Sequence, residues 1–345
     1  MRAVRVWVDL ANSPHVPLLA PVAARLEADG HEVLITVRDH AQTLDLARRR
    51  WRRFQVIGGE SPPGRVAKGR SIARRAEALR RFASKHQPDV ALSHGSYAQL
   101  LAARAMRIRG VTMMDYEHQP ANHLSFRLAD RVVVPAAFPE RALRRFGAAP
   151  SKVMRYPGFK EELYLASFAP DPNVLVALGL DPTKVIAVMR PPPDGALYHR
   201  MANERFDDML ELATGDENVQ VVLLPRSSIQ AERFRRHPRA EIPDGVVDGS
   251  SLVALADVVI GGGGTMNRES AVLGTPTYTV FAGDLAAVDA ELIRLGRMRD
   301  LRDPGVVPRF EKKPAPSSER RSDQSPITDT ILAAVAAAAD GYQAK

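Results

Sequence analysis

The sequence predicts an α/β protein made of two doubly wound units, each a parallel sheet covered by helices on both faces. Three observations lead there. Short apolar runs alternate with helix-period segments along most of the chain, the rhythm of strand–helix–strand crossovers rather than of hairpins. That rhythm breaks once, at RYPGFKEELYLASFAPDPN from Arg155 to Asn173, and then restarts. A chain of 345 residues also exceeds what one compact core organises, which fits two domains.

In the first half, strands are expected at Val4–Val8, Val33–Val37, Phe54–Ile57, Val90–Leu92, Val111–Met114 and Val132–Val134. Helices are expected between them at Val16–Ala28, Ala41–Arg50, Ser71–Lys85, Tyr97–Arg107 and Glu140–Phe146. GHEV and QPDV punctuate helix ends ahead of strands. The Pro- and aromatic-rich stretch from Arg155 to Asn173 reads as the connection between domains. In the second half the strand candidates are Val185–Met189, Val219–Leu224, Gly245–Val247, Asp257–Ile260 and Thr277–Val280. The helix candidates are Ala196–Leu212, Ile229–Arg235, Ser251–Ala256, Met266–Leu273 and Leu285–Leu295. Pro304 to Pro326 is polar and proline-rich and reads as a mobile segment. The last helix, Ile327–Ala339, is mostly alanine and is expected to dock weakly. The expected domains are therefore 1–160 and 161–302, followed by the polar segment and helix of 303–345.

The chain has no cysteine, which excludes disulfides, thiolate metal ligands and a thiol nucleophile and fits a reducing cytoplasm. The apolar run in MRAVRVWVDL is too short for a signal peptide. No run reaches the roughly 18 apolar residues of a membrane span. A cytoplasmic protein is expected. Charge is uneven. Met1 to Leu165 carries 28 Lys and Arg against 15 Asp and Glu, a net +13, whereas the remainder is net −5. A basic half fits an anionic partner or simply an Arg-rich solvated surface. RRRWRR, Arg48 to Arg53, and the helix Ser71–Lys85 are basic, but no nucleic-acid motif accompanies them, so no nucleic-acid partner is expected. No H-E-x-x-H or D-x-D motif is present, and neither metal nor cofactor is expected.

VVIGGGGTMNRESAVLGTP, Val258 to Pro276, joins an apolar strand, four glycines and a helix start. The first N–H groups of a helix lack intrahelical partners and carry partial positive charge. Glycines let a phosphate approach them closely, and Thr265 can cap the helix or bond a phosphate. The P-loop needs a Lys directly after its last Gly, where this loop has Thr265-Met266. The dinucleotide fingerprint, counted from Gly261 and Gly263, needs a third Gly where this loop has Met266. The loop thus points to a phosphate held in neither of those ways, or to a tight turn that packs helix on strand. Glu269 lies one turn past Thr265 on the same helix face. It can accept both hydroxyls of a ribose whose diphosphate lies on the glycines, or it can complement the helix dipole.

GGTMNRESAVLGTP resembles the donor-nucleotide segment of the GT-B glycosyltransferase and UDP-N-acetylglucosamine 2-epimerase superfamily, where a small-residue loop holds the diphosphate and a following Glu holds the ribose. DLANSPHVPLLAPV, SHGSY, MMDYEHQPANHL, YPGFKEELYL, MRPPPDGALYH, LLPR and GGGGTMNRESAVLGTP, in that order, are similar to an uncharacterised prokaryotic family of glycosyltransferase-like proteins. The resemblance runs from about Val4 to Asp300. It implies a GT-B-like fold: two Rossmann-like doubly wound domains facing an inter-domain cleft, donor on the second and acceptor on the first. The implied reaction is metal-independent transfer from a nucleotide-diphosphate sugar, a UDP-sugar foremost, to an acceptor hydroxyl. A non-hydrolysing nucleotide-sugar epimerase or hydrolase, or a non-catalytic nucleotide-sugar-binding protein, stands as the alternative.

Ligands of open α/β sheets bind beyond the carboxyl ends of strands, and the remaining unusual polar residues fall there. Asn12, Ser13, Pro14 and His15 follow the first strand. PHV resembles the Gly-His-Val element of the cell-wall lipid-linked glycosyltransferase, so His15 is a candidate general base or phosphate donor. His94 and Ser96 follow the fourth strand; the 2-epimerases place a catalytic aspartate about where Ser96 stands. Asp115, Glu117 and His118 follow the fifth, where the epimerases carry a catalytic glutamate. His15, Asp115 and Glu117 are the catalytic candidates, and Asn12, His94, Ser96 and His118 the acceptor-side ones. Arg190 and Arg226 end two strands of the second half and can neutralise a departing diphosphate; the epimerases carry a functional His about where Arg226 stands. With Gly262, Gly263, Gly264, Thr265, Glu269 and Asp289 they form the expected donor site. Asp248 is a candidate for the nucleobase, and Asp284 for sugar hydroxyls or a helix cap. Lys160 and Glu161 lie at the cleft floor or, as favoured here, on the surface. The GT-B resemblance also gives the basic first half the acceptor. The segment Arg65–Lys85, with Ile72, Leu79 and Phe82 among basic residues, suits a polyprenyl-phosphate acceptor or peripheral contact with the anionic inner membrane face, or else an ordinary packed helix.

Overall fold

The computed structural model describes residues 3–60, 64–192, 199–235, 237, 239–245, 247–314 and 325–340. The chain forms two compact units, Met1–Tyr164 with Ser322–Lys345, and Leu165–Arg321.

The first unit runs β1 (Arg5–Leu10), α1 (His15–Ala28), β2 (Glu32–Val37), α2 (Thr43–Arg50), β3 (Gln55–Val56), α3 (Arg65–His86), β4 (Val90–His94), α4 (Tyr97–Ala105), β5 (Arg109–Met113), α5 (Asn122–Leu128), β6 (Arg131–Pro135), α6 (Glu140–Phe146), β7 (Val153–Tyr156) and α7 (Lys160–Leu165). Its sheet has the order β3-β2-β1-β4-β5-β6-β7, and every pairing is parallel. Val6, Trp7, Val8 and Leu10 are all fully buried, because a strand covered on both faces needs apolar residues at every position. Trp7 faces one side with Leu79, Ala83 and Ala98. Val6, Val8 and Leu10 face the other with Leu18, Val22 and Ile331.

The second unit runs α8 (Asn173–Ala177), β8 (Val185–Arg190), α9 (His199–Gly215), β9 (Val219–Leu223), α10 (Ser228–Phe234), β10 (Ala240–Glu241), α11 (Gly249–Leu255), β11 (Val258–Gly261), α12 (Thr265–Leu273), β12 (Thr277–Thr279), α13 (Ala287–Arg294) and β13 (Arg299–Asp300). Its sheet order is β10-β9-β8-β11-β12-β13, again parallel throughout. Both sheets therefore reverse direction beside their first strand, between β1 and β4 and between β8 and β11. Loops at those two points part to opposite sides of the sheet and leave a crevice at the strand ends.

Several expectations change. The strand expected at Gly245–Val247 gives way to β10, earlier in the chain, with a bend at Asp244 and Gly245; Val246 lies outside the described residues. The first three residues of the helix expected at Ala196–Leu212 fall outside the described residues. The connection expected from Arg155 to Asn173 contains the end of β7 and all of α7. The terminal helix α14 (Pro326–Asp340) is not loosely attached. Ile327, Ile331, Ala334, Val335 and Ala338 are buried in the core of the first unit, and Arg131 Nη2 donates to the Ala337 carbonyl at 3.3 Å. Alanines let the helix backbone approach the sheet closely, so small side chains here mean a tight contact rather than a weak one. Part of the segment expected to be mobile is also tied down. Val306 and Phe310 pack on the second core, and Asp257 accepts from Lys312 Nζ at 2.8 Å and from the Lys313 amide at 3.0 Å. Residues 315–324 lie outside the described residues.

Candidate functional site

In the first unit the end of β1 carries Asp9, which is fully buried. Arg75 of α3 grips it with two N–H groups at 2.8 and 2.9 Å. Thr36 Oγ1 donates to Asp9 Oδ1 at 2.6 Å, and Ser96 Oγ to Oδ2 at 2.5 Å. Ser96 also caps α4 by accepting from the Gln99 amide at 3.4 Å. Ser96 thus works as a cap and an Asp9 ligand, which leaves it little capacity for an acceptor. Arg75 Nε further donates to the Ile57 carbonyl at 2.9 Å. One guanidinium thereby ties α3, the end of β3 and the switch-point loops together.

Beside this anchor sits the titratable cluster. His15 opens α1 and is only 6% exposed. Its amide donates to the Asn12 carbonyl at 3.0 Å, which is how Asn12 contributes; its own side chain is exposed. The His15 ring lies 5.1 Å from the ring of His94, the last residue of β4. His94 Nε2 is 3.1 Å from Asp115 Oδ1. Asp115 Oδ2 accepts from Lys160 Nζ, which also donates to Glu161 Oε1 at 2.7 Å. Asp115, Lys160 and Glu161 are all buried. The surface position favoured for Lys160 and Glu161 is therefore wrong: Tyr156 and Phe159 pin the turn ahead of α7 into the core and swing the pair inward. Burial holds the His15 imidazole well below its ordinary 6.5, aided by the His94 and Lys160 charges, with Asp115 opposing. Glu117 is buried and stands 3.7 Å from the exposed His118. Asn122, fully buried, donates to the Tyr116 carbonyl at 2.9 Å and shapes this loop. Only its place in EHQPANHL hinted at that role.

The second unit answers what the four glycines make room for. Gly261 and Gly262 make room for the protein itself. A Cβ on Gly261 would meet Asn267 Oδ1 at 2.1 Å, and one on Gly262 would meet the Pro192 Cα at 2.5 Å. Gly262 N donates to the Arg190 carbonyl at 2.9 Å, so the loops after β8 and β11 lie against each other. Gly263 packs on Phe281. Gly264, at φ +96°, precedes α12, and among the described residues nothing lies within 4 Å of where its Cβ would stand. Among these residues the start of α12 is thus open.

Two guanidinium groups flank it. Arg226 Nε donates to the Pro191 carbonyl at 2.8 Å and Nη2 to the Gly263 carbonyl at 3.1 Å, clamping the two loops. Burial lowers Arg226 to about 10, with the neighbouring Arg190 charge adding to the effect. Burial also lowers Arg190, opposed by Glu269, and Arg190 Nε has no hydrogen-bond partner among the described residues. Two like charges held together beside the start of a helix favour an anion. Thr265 and Glu269 are half-buried on the same helix. Asp289 is not turned to a ligand: Arg268 binds both its oxygens at 2.6 and 3.1 Å, fastening α13 to α12. Asp248 caps α11 through Ser251 N and Oγ at 3.2 and 2.7 Å. Asp284 is exposed.

Two doubly wound parallel sheets, each with its switch point beside its first strand, define a GT-B-like fold of two Rossmann-like domains. The chain belongs to the family described as protein of unknown function DUF354, whose model matches residues 4–307. It is 31% identical over 301 residues to uncharacterized protein MJ0665 of Methanocaldococcus jannaschii, covering 85% of this chain and 86% of that one. Among solved structures it is similar to the UDP-GlcNAc 2-epimerase of Methanocaldococcus jannaschii in complex with UDP-GlcNAc and UDP. There the TM-score is 0.65 at 12% identity, over 97% of this chain and 93% of that one. It is also similar to the glycotransferase of kitacinnamycin, with a TM-score of 0.57 at 15% identity over 98% and 91% of the two chains. At these identities the likeness is one of fold.

Proposed function

We propose that the chain is a metal-independent glycosyltransferase that takes a nucleotide-diphosphate sugar, a UDP-sugar foremost, and passes the sugar to an acceptor hydroxyl. The observation that carries this reading is the open start of α12 with Arg190 and Arg226 beside it. A diphosphate answers that charge, and as a leaving group it gains negative charge in the transition state, where fixed positive groups act most strongly. Glu269 takes the ribose hydroxyls from the same helix. Neighbours of this fold that are named for UDP-GlcNAc or UDP complexes support a uridine nucleotide.

The first unit, net +13 over Met1 to Leu165, receives the acceptor, and its histidine pair with Asp115 supplies proton transfer. Transfer is favoured over epimerisation by residue 96. Inverting a sugar C2 requires a base at that carbon, and the side chain standing about where the epimerases keep a carboxylate is a serine bound to Asp9. Incubation with UDP-N-acetylglucosamine in deuterated water tests the reaction class. No deuterium at the sugar C2 is expected; appreciable incorporation overturns transfer in favour of epimerisation.

A further inference from the structure

The histidine pair raises a question that the transferase reading leaves open: which ring takes the proton. Two imidazoles whose centroids are 5.1 Å apart do not both accept one readily, since the first cation opposes the second. Their surroundings differ. His15 is buried at the start of α1, where its neighbours His94, Lys160 and Arg75 all oppose a positive charge and only Asp115 favours one. His94 touches Asp115 directly, at 3.1 Å.

Asp115 is itself unusual. Its second oxygen is held by the Lys160 ammonium, which is shared with Glu161. These three groups are 5%, 6% and 1% exposed. Two carboxylates and one ammonium leave the buried trio one positive charge short of neutrality, and an imidazolium formed at His94 supplies the balance. An ionised Asp115 can only accept, so the hydrogen of a neutral His94 ring sits on Nε2 and the lone pair on Nδ1. No other hydrogen bond to the His94 ring is formed among the described residues.

We propose that His94 is the general base of the first unit, aligned by Asp115, with Lys160 and Glu161 as positioning residues and His15 its neutral neighbour. This rests on the transferase reading. In the step, the acceptor O–H proton passes to His94 Nδ1 as the acceptor oxygen bonds to the sugar C1. The electron pair of the broken C1–O bond leaves with the nucleoside diphosphate. The imidazolium is stabilised where it forms, by Asp115, and Lys160 keeps that carboxylate ionised and facing the ring. Nothing in SHGSY or GFKEEL alone joins these residues; the ends of β4, β5 and β7 bring them together.

The test is side-chain nitrogen NMR of the histidines in the full chain at alkaline pH, with UDP calorimetry on the same sample. Wild type should show a neutral His94 as the Nε2–H tautomer, with the lone pair on Nδ1. Asp115→Asn should move part of the population to the Nδ1–H form, while Lys160→Arg keeps the wild-type tautomer. A neutral His94 carrying its hydrogen on Nδ1 in wild type, or a tautomer indifferent to Asp115→Asn, overturns the assignment, and the wild-type arm decides even where a variant fails to fold. Absent UDP binding with the His94 tautomer intact points instead to failure of the nucleotide-sugar reading.

Discussion

At the scale of single residues, the first unit holds its site by electrostatics buried out of water. Arg75 and Asp9 are 8% and 0% exposed, and a buried pair is most costly when half of it is removed. Arg75→Met should therefore destabilise the chain by about 3–5 kcal/mol in urea unfolding, and adding Asp9→Asn should recover part of that loss. Equal stability of the single and double variants would contradict the pairing. His15 gives a pH prediction. Its folded pKa lies below the ordinary 6.5, so below that pH the unfolded chain takes a proton that the folded chain refuses. Its contribution to stability is therefore complete above 6.5 and lost as pH falls from there towards the folded pKa. The urea midpoint should drop more steeply between pH 7 and pH 5.5 in wild type than in His15→Gln; parallel curves would contradict it.

At the scale of elements, the helices that looked marginal are those the fold depends on. Ile331 of α14 is fully buried against the first sheet, so Ile331→Ala should cost about 2–5 kcal/mol in chemical denaturation. A loss under about 0.5 kcal/mol, the size of an ordinary surface change, would mean the helix is not part of the core. In α3, Leu79 is buried and Ile72 and Phe82 pack around it, so the apolar stripe is taken up by the sheet. Arg70, Arg74, Arg81 and Lys85 remain exposed. We propose that this basic row binds anionic vesicles at low salt and releases them at high salt. Sedimentation that survives high salt would contradict a purely electrostatic contact. The same two helices mark what was legible. Periodicity and turn residues disclosed nearly every long element, because a β/α alternation repeats the same burial pattern. Short edge strands such as β10 and β13 carry only two residues each and leave no period to read. The burial of Lys160 against Asp115, and the role of Asp9, escaped notice for another reason. An ion pair closed over 45 or 66 positions of sequence leaves no local trace, whereas the glycine turn and Glu269 adjoin in sequence at the start of α12 and could be read directly.

At the scale of the whole molecule, two units of the same winding carry different side chains at equivalent strand ends. The first gathers the titratable groups His15, His94 and Asp115 behind β1, β4 and β5. The second gathers positive charge behind β8, β9 and β11. The division of charge along the chain, +13 in one half and −5 in the other, does not oppose this: the second unit is acidic as a whole yet places Arg190 and Arg226 at its switch point. We propose that this point binds a nucleoside diphosphate, and calorimetric titration of UDP into the full chain and into Glu269→Ala is the decisive measurement. Saturable one-to-one binding to wild type is expected, with affinity weaker by about tenfold or more in the variant, through lost charge-assisted hydrogen bonds. No saturable binding to wild type, or the same affinity in both proteins, would contradict it.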